Sequence, residues 1–252
     1  MQKQVPPIPA WRNWRIFDPK QKSSMLKTPA GNFGSIGCLT GKSASATIRP
    51  IRGIGPACGR IRIGMRRLFV QELSMKILII GAAGFIGTRL RASLLARGVL
   101  HPQGGPARPI TEMVLADSRP LPPAAQGSIP VSTLQGDICD DRFLDQVFTS
   151  GFDAVFHLAA TLTLDAEMDF AHGLEVNVHA LMRLLERCRR SGKPPAFVFA
   201  SSISTFGGPL PDTVDDHVAQ TPQTSYGTHK AIAELLINDY SRRGFLDGRV
   251  LR

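Results

Sequence analysis

The stretch MKILIIGAAGFIGTRL, Met75 to Leu90, decides the fold. Ile77, Leu78, Ile79 and Ile80 form an unbroken apolar run rich in β-branching, the pattern of a parallel strand buried on both faces. Gly81, Gly84 and Gly87 follow at G-x-x-G-x-x-G spacing, and Leu90, Leu94 and Leu95 then recur at helical spacing through Thr88 to Arg97. Strand, glycine turn and helix in that order make a dinucleotide-binding start. The first glycine permits the tight turn, the second lets backbone approach a pyrophosphate, and the third lets helix pack on strand. The helix dipole and its free N–H groups face the phosphates.

Working outward, the charge divides sharply. The chain has 252 residues and a net charge of +10, but residues 1–74 hold 13 Lys+Arg against 2 Asp+Glu, while residues 75–252 hold 17 against 18. The basicity sits in the leader, so it does not argue for a nucleic-acid partner of the near-neutral remainder. Residues 1–74 show no sustained period and carry WRNWR, with Trp11 and Trp14, near their start. Three readings of them stand. They are an organellar transit peptide, a basic tail for nucleic acid or anionic lipid, or a disordered or spurious leader with folding and translation beginning at Met75. The last is the expectation adopted, giving a leader over 1–74 and one nucleotide-binding domain over 75–252.

Cys38, Cys58, Cys139 and Cys188 are far apart and form no C-x-x-C pair, which reads as free thiols in a reducing, cytoplasmic compartment. The six histidines lack ligand spacing, so no metal site is expected, and no apolar run is long enough to span a bilayer.

From Met75 onward strand and helix signals alternate, which predicts an α/β fold with a doubly wound parallel sheet. The expected strands after the first are Met113–Ala116, ending at Asp117, then Val131–Gln135, Ala154–Leu158, Ala196–Ala200 and Arg249–Leu251. The expected helices are Asp140–Thr149 with Asp140 as N-cap, Asp165–Arg190 kinked near Gly173, and Ser225–Arg243. The two long helices carry apolar stripes that either cover the sheet or pair across a two-fold axis in a homodimer. A Pro-rich loop follows the second strand, and the connection Ser202–Thr224 is long enough to read as functional.

Tyr226 and Lys230 stand i and i+4 at the start of a helix and share a face. A tyrosine with a pKa of about 10 is a poor base at neutral pH, and a neighbouring ammonium stabilises its phenolate. Ser201 and Ser202 stand at the carboxyl end of the fifth expected strand, where ligands of such sheets bind. Each serine alone reads equally as a turn or capping residue. Asp117 is placed to accept the adenosine ribose hydroxyls and to repel a 2′-phosphate, which favours NAD. Arg119, two residues on, argues the other way. His157 reads as a core or supporting group. Asn177 reads as a polar-face residue or as the holder of a kink or water near the lysine.

Together these residues resemble the extended short-chain dehydrogenase/reductase (NAD-dependent epimerase/dehydratase) family. The likeness runs through GAAGFIG, GDICD (Gly136–Asp140), HLAA (His157–Ala160), SSISTFG (Ser201–Gly207) and SYGTHK (Ser225–Lys230). The resemblance implies an NAD site built from Gly81, Gly84, Phe85, Ile86, Gly87, Asp117, Asp137, Ile138, Leu158, Ala159, Ala160, Asn177, Ser201, Tyr226 and Lys230. Asp137 and Ile138 would contact adenine, and Leu158 to Ala160 would flank the inner ribose and pyrophosphate. It implies Tyr226 as base, Lys230 as holder of the nicotinamide ribose that also lowers the tyrosine pKa, and Ser202 as the serine orienting the reacting oxygen. LDAEMDFAHGLEVNVHALMRLLERCR and the text around Tyr226 further resemble a branch that oxidises the C2 hydroxyl of a four-carbon sugar acid. A homodimer through the long helices is implied as well. Against the family pattern the C-terminal substrate-binding part is absent from this sequence. A nucleotide-sugar epimerase or dehydratase, and an NAD-binding fragment without turnover, are the rival expectations.

Overall fold

A computed structural model of the chain describes residues 74–102, 105–121, 127–215 and 217–252. The leader, with Trp11, Trp14, Cys38 and Cys58, lies outside the described residues, as do Pro122 and Pro123 of the Pro-rich loop.

Among the described residues seven strands form the sheet: β1 (Met75–Ile80), β2 (Val99–Leu100), β3 (Arg108–Asp117), β4 (Val131–Gln135), β5 (Ala154–His157), β6 (Ala196–Ala200) and β7 (Asp247–Leu251). Six run parallel in the order β4-β3-β1-β5-β6-β7. The chain leaves β1 for β3 and β4 on one side, then crosses back to β5 on the other. That reversal opens a crevice at the carboxyl edge between β1 and β5. The doubly wound sheet is therefore present as expected. The antiparallel strand β2, paired with Arg108 and Pro109, and the early start of β3 at Arg108 were not expected.

The alternation of β1 makes both faces. Ile77 and Ile79 join Leu94, Met113 and Leu115 in one core, while Leu78 and Ile80 join Val114, Val155, Leu184 and Phe197 in the other. All four β1 residues from Ile77 to Ile80 are fully buried, each worth about 1.5–3 kcal/mol of apolar transfer.

Helix α1 (Phe85–Arg97) supplies Leu94 to the first core. Helix α2 (Asp141–Val147) supplies Phe143, Leu144 and Val147 to the second, and Asp140 caps it by accepting from the Arg142 N–H at 2.8 Å. The expected long helix over 165–190 is broken differently. It comprises α3 (Thr163–Met168), α4 (Phe170–Leu174), a π-helical turn (Glu175–His179) and α5 (Ala180–Arg190). The break falls at Asp169, whose carboxylate caps α4 by accepting from the His172 N–H. Gly173 lies inside α4, where a Cβ would come 2.9 Å from Ala166, so this glycine packs α4 on α3. Helix α6 (Ser225–Arg242) is capped by the Thr224 hydroxyl. The stripes on α5 and α6 (Leu181, Leu184, Leu185; Ala233, Ile237) face the sheet.

Candidate active site

Parallel register brings the site together. Ile80 lies opposite His157, and His157 opposite Phe199, so the chain leaves β1, β5 and β6 at one level. From that edge emerge the glycine turn, the Leu158–Thr161 segment and the Ser201–Ser202 turn.

Gly81 takes φ 86°, a left-handed conformation, and a Cβ there would sit 2.6 Å from the Ala159 nitrogen. Its N–H and that of Ala82 both donate to the Ala116 carbonyl, at 2.9 and 3.2 Å. Asp117, buried at the end of β3, accepts the Ala83 N–H on Oδ2 and the Arg119 N–H on Oδ1, at 2.8 and 2.9 Å. Asp117 thus braces the turn itself, and the Arg119 guanidinium pairs with the same carboxylate. Backbone closes on backbone around the start of α1, whose first-turn N–H groups have no helical carbonyl to bond. Phe85 and Ile86 are exposed beside them. Such a cradle of side-chain-free backbone and unspent donors fits a pyrophosphate. Nearby, Asp137 accepts the Cys139 N–H and Ile138 is buried. Leu158 and Ala160 are half-buried on either side of Ala159.

On the other side, Ser202 ends the extended segment after β6 and its hydroxyl accepts the Ser204 N–H at 3.1 Å, starting a 3₁₀ turn (Ile203–Thr205). Helix α6 begins against this turn. The Ser202 hydroxyl stands close enough to the Tyr226 phenol to lower its pKa, so the structure brings these two expected residues together. Ser201 is turned elsewhere and donates to the Glu234 carboxylate. Lys230 is buried; its Nζ donates to the Ala200 carbonyl at 2.8 Å, lies 4.4 Å above the Phe199 ring, and stands 5.6 Å from the centre of the Tyr226 ring.

Burial pulls Lys230 down to about 8, opposed by Glu234 four residues on. Burial pushes the Tyr226 phenol above its ordinary value, and the neighbouring Ser202 hydroxyl pulls it back. The Lys230 ammonium itself is directed at the Ala200 carbonyl, beside the Tyr226 ring. His157, stacked on Phe199 with ring centroids 5.7 Å apart, is pulled down to about 3 by burial and then by the Lys230 charge.

Asn177 sits in the π turn and pairs with Thr161: its Oδ1 accepts the Thr161 N–H at 2.9 Å and its Nδ2 donates to the Thr161 carbonyl at 3.0 Å. Of the two readings, the holder of a distorted helix describes it.

Sequence reading missed Glu234 and His229. Glu234 is buried and receives Ser201, Gln220 at 2.9 Å and Arg252 at 3.0 Å, joining the ends of β6 and β7 to α6. Its signal was present: a charge one and two helical turns beyond Lys230 and Tyr226, on their stripe. His229 has no periodic signal.

Among the described residues no cluster of His, Cys, Asp and Glu is placed to hold a metal ion, and no helix is long and apolar enough to cross a membrane. Cys139 and Cys188 are free thiols, both pushed up to about 12 by burial.

A doubly wound sheet with a glycine turn at its switch point, facing a Ser/Tyr/Lys set on the next carboxyl ends, defines a nucleotide-dependent class of enzyme fold. The chain belongs to the NAD-dependent epimerase/dehydratase family, whose model matches residues 77–252. More particularly, it is 46% identical over 178 residues to the D-erythronate dehydrogenase of Cupriavidus necator, and 42% identical over 179 residues to that of Haemophilus influenzae. Each alignment covers 71% of this chain and 54% of the relative, so the chain spans about half the length of these relatives. Among solved structures it is similar to a nucleoside-diphosphate-sugar epimerase from Agrobacterium tumefaciens, with TM-score 0.65 and 39% identity, covering 71% of this chain and 52% of that one.

Proposed function

We propose that the protein is an NAD-dependent dehydrogenase of sugar acids that oxidises the C2 hydroxyl of D-erythronate to 2-oxo-tetronate. The observation that carries this reading is the seating of Lys230 on the Ala200 carbonyl with Tyr226 one turn ahead, beside Ser202 at the carboxyl edge that also carries the glycine turn. Kinship to two D-erythronate dehydrogenases supports the substrate class.

NAD, when bound, supplies the hydride acceptor and a positive charge. The glycine turn and the start of α1 would hold its pyrophosphate, Asp117 the adenosine ribose, Asp137 and Ile138 the adenine. Leu158 to Ala160, Asn177, Ser201 and Lys230 would line the rest. Tyr226 takes the proton of the substrate hydroxyl at its phenolate oxygen, and Ser202 donates to that oxygen and orients the reacting group. Lys230 keeps the pair in register from behind and adds its charge near neutral pH. Asp117 favours NAD over a 2′-phosphorylated dinucleotide.

The folded unit in this reading is residues 75–252, with 1–74 a leader. Since α5 and α6 give their stripes to the sheet, a homodimer through them would use outward residues such as the exposed Met182 and Leu235.

The test is to incubate the full chain with NAD and D-erythronate. NADH formed one for one with product is the expected result. A sugar nucleotide converted without net NADH would replace this reading with an epimerase, and NAD binding without turnover of any polyol acid would leave a binding fragment.

A further inference from the structure

We propose that His229 is a positioning residue whose neutral imidazole locks Asn177 and, through it, the Leu158–Thr161 segment that roofs the glycine turn. The geometry stands without any ligand; only its consequence for binding rests on the NAD reading above.

The two bonds between Asn177 and Thr161 fix which amide atom is oxygen and which is nitrogen. One hydrogen of Asn177 Nδ2 is used on the Thr161 carbonyl. The other faces His229 Nδ1 at 3.4 Å. That nitrogen must therefore accept, and the ring proton sits on Nε2. A second proton on the ring would set N–H against N–H inside a buried triad, since Asn177, Thr161 and His229 are all less than a tenth exposed.

The ring is held by its neighbours. Phe170 of α4 lies 5.9 Å away centre to centre, and a Cβ on Gly173 would come 3.4 Å from the imidazole Cε1. From α3 the Glu167 carboxylate favours the protonated ring, and burial opposes it more strongly. On α4 the other titratable group, His172, is exposed. On the π turn Glu175 pairs with His179 and Arg183. On α6 itself Tyr226 stands beside Ser202, Lys230 bonds the Ala200 carbonyl, and Glu234 receives Arg252.

The lever acts on the roof. Leu158 donates its N–H to the Ile80 carbonyl at 2.8 Å, and Ala159 closes over Gly81. Thr161 is the far anchor of that segment. His229 thus links the helix bearing Tyr226 and Lys230 to the turn two strands away.

Hydrogen exchange on the full chain without cofactor tests the lock, and NAD titration tests its consequence. His229→Asn keeps an acceptor that does not titrate; His229→Leu removes it. The peptide over Leu158–Thr161 should exchange about fivefold faster in His229→Leu and at the wild-type rate in His229→Asn. Lowering the pH from about 7.5 to about 5.5 should loosen the wild type, after correction for intrinsic rates, and leave His229→Asn flat. NAD affinity should fall about fivefold in the Leu variant alone. Should that variant fail to fold, the ¹⁵N signature of the wild-type ring decides, with Nδ1 unprotonated expected. An Nδ1–H ring, or wild-type exchange in a folded His229→Leu, overturns the proposal. A wild type that binds no NAD sinks the dinucleotide reading, while the exchange data still decide His229.

Discussion

A buried ammonium costs stability wherever it is charged. Lys230 is down to about 8 from 10.5, so the fold carries that penalty below about pH 8 and sheds it as the pH rises towards the unfolded value. Such a shift is worth about 3 kcal/mol, against about 1 kcal/mol for the bond to the Ala200 carbonyl. Lys230→Met should therefore stabilise the fold by about 1–2 kcal/mol in a urea titration at neutral pH while abolishing turnover. Loss of both stability and activity would mean that the lysine is structural. Tyr226→Phe should cost about a thousandfold in kcat with NAD affinity unchanged. Because burial raises the phenol and Ser202 opposes it, the rate should climb with pH on the basic side of neutrality. Ser202→Ala removes the opposing hydroxyl, so its limb should lie at higher pH than the wild type's. The pairing of Tyr226 with Lys230 was legible because residues that share a helix face stand i and i+4 in the sequence. His229 was not, because its partner Asn177 lies 52 residues away; Glu234 shared the stripe of Lys230 and Tyr226, but its partner Ser201, 33 residues away, left no local sign.

Among elements, those with a period were read and those set by single contacts were not. β1 was visible because four consecutive fully buried apolar residues leave no other reading. β2 has two residues and exists only by pairing with Arg108 and Pro109, so no local pattern announces it. The π turn and the break at Asp169 likewise answer to Thr161 and to the cap of α4, which lie outside a helical stripe. The contact that matters most for chemistry joins α6 to the 3₁₀ turn. Gly227 permits it: a Cβ there would sit 2.1 Å from the Ser204 carbonyl oxygen, with backbone on that side unable to yield. Gly227→Ala should push α6 away from Ser202 and cost about 1–3 kcal/mol of stability. Its kcat should fall by more than tenfold while NAD affinity falls less, because the glycine turn is untouched. Equal losses in the two would show that the helix start and the cofactor cradle move as one body.

For the whole molecule, burial, helped at one site by a buried cation, sets the charge state of the core histidines. Lys230 stands beside His157, and Glu234 supplies the nearby negative charge, so any further positive charge in this part of the core is disfavoured. His157 stays neutral first through its burial and then through the Lys230 charge, and His229 is held neutral by its own burial. In the unfolded chain both titrate near 6.5, so below that value the unfolded state binds protons that the fold refuses. The histidine contribution to stability is complete above about pH 6.5 and falls as the pH drops towards the folded values. Between those limits the loss depends only on the distance below the unfolded pKa. For His157, down to about 3, it reaches about 2 kcal/mol at about pH 5. Urea midpoints should thus fall between about pH 8 and about pH 5 by more than surface carboxylates account for. His157→Leu keeps the apolar stack on Phe199 and cannot titrate, so its midpoint should fall by about 2 kcal/mol less over the same interval. A wild-type His157 ring titrating near its ordinary value would break the argument, because Lys230 would then share its pocket with a second cation and the site's charge balance would have to be drawn afresh.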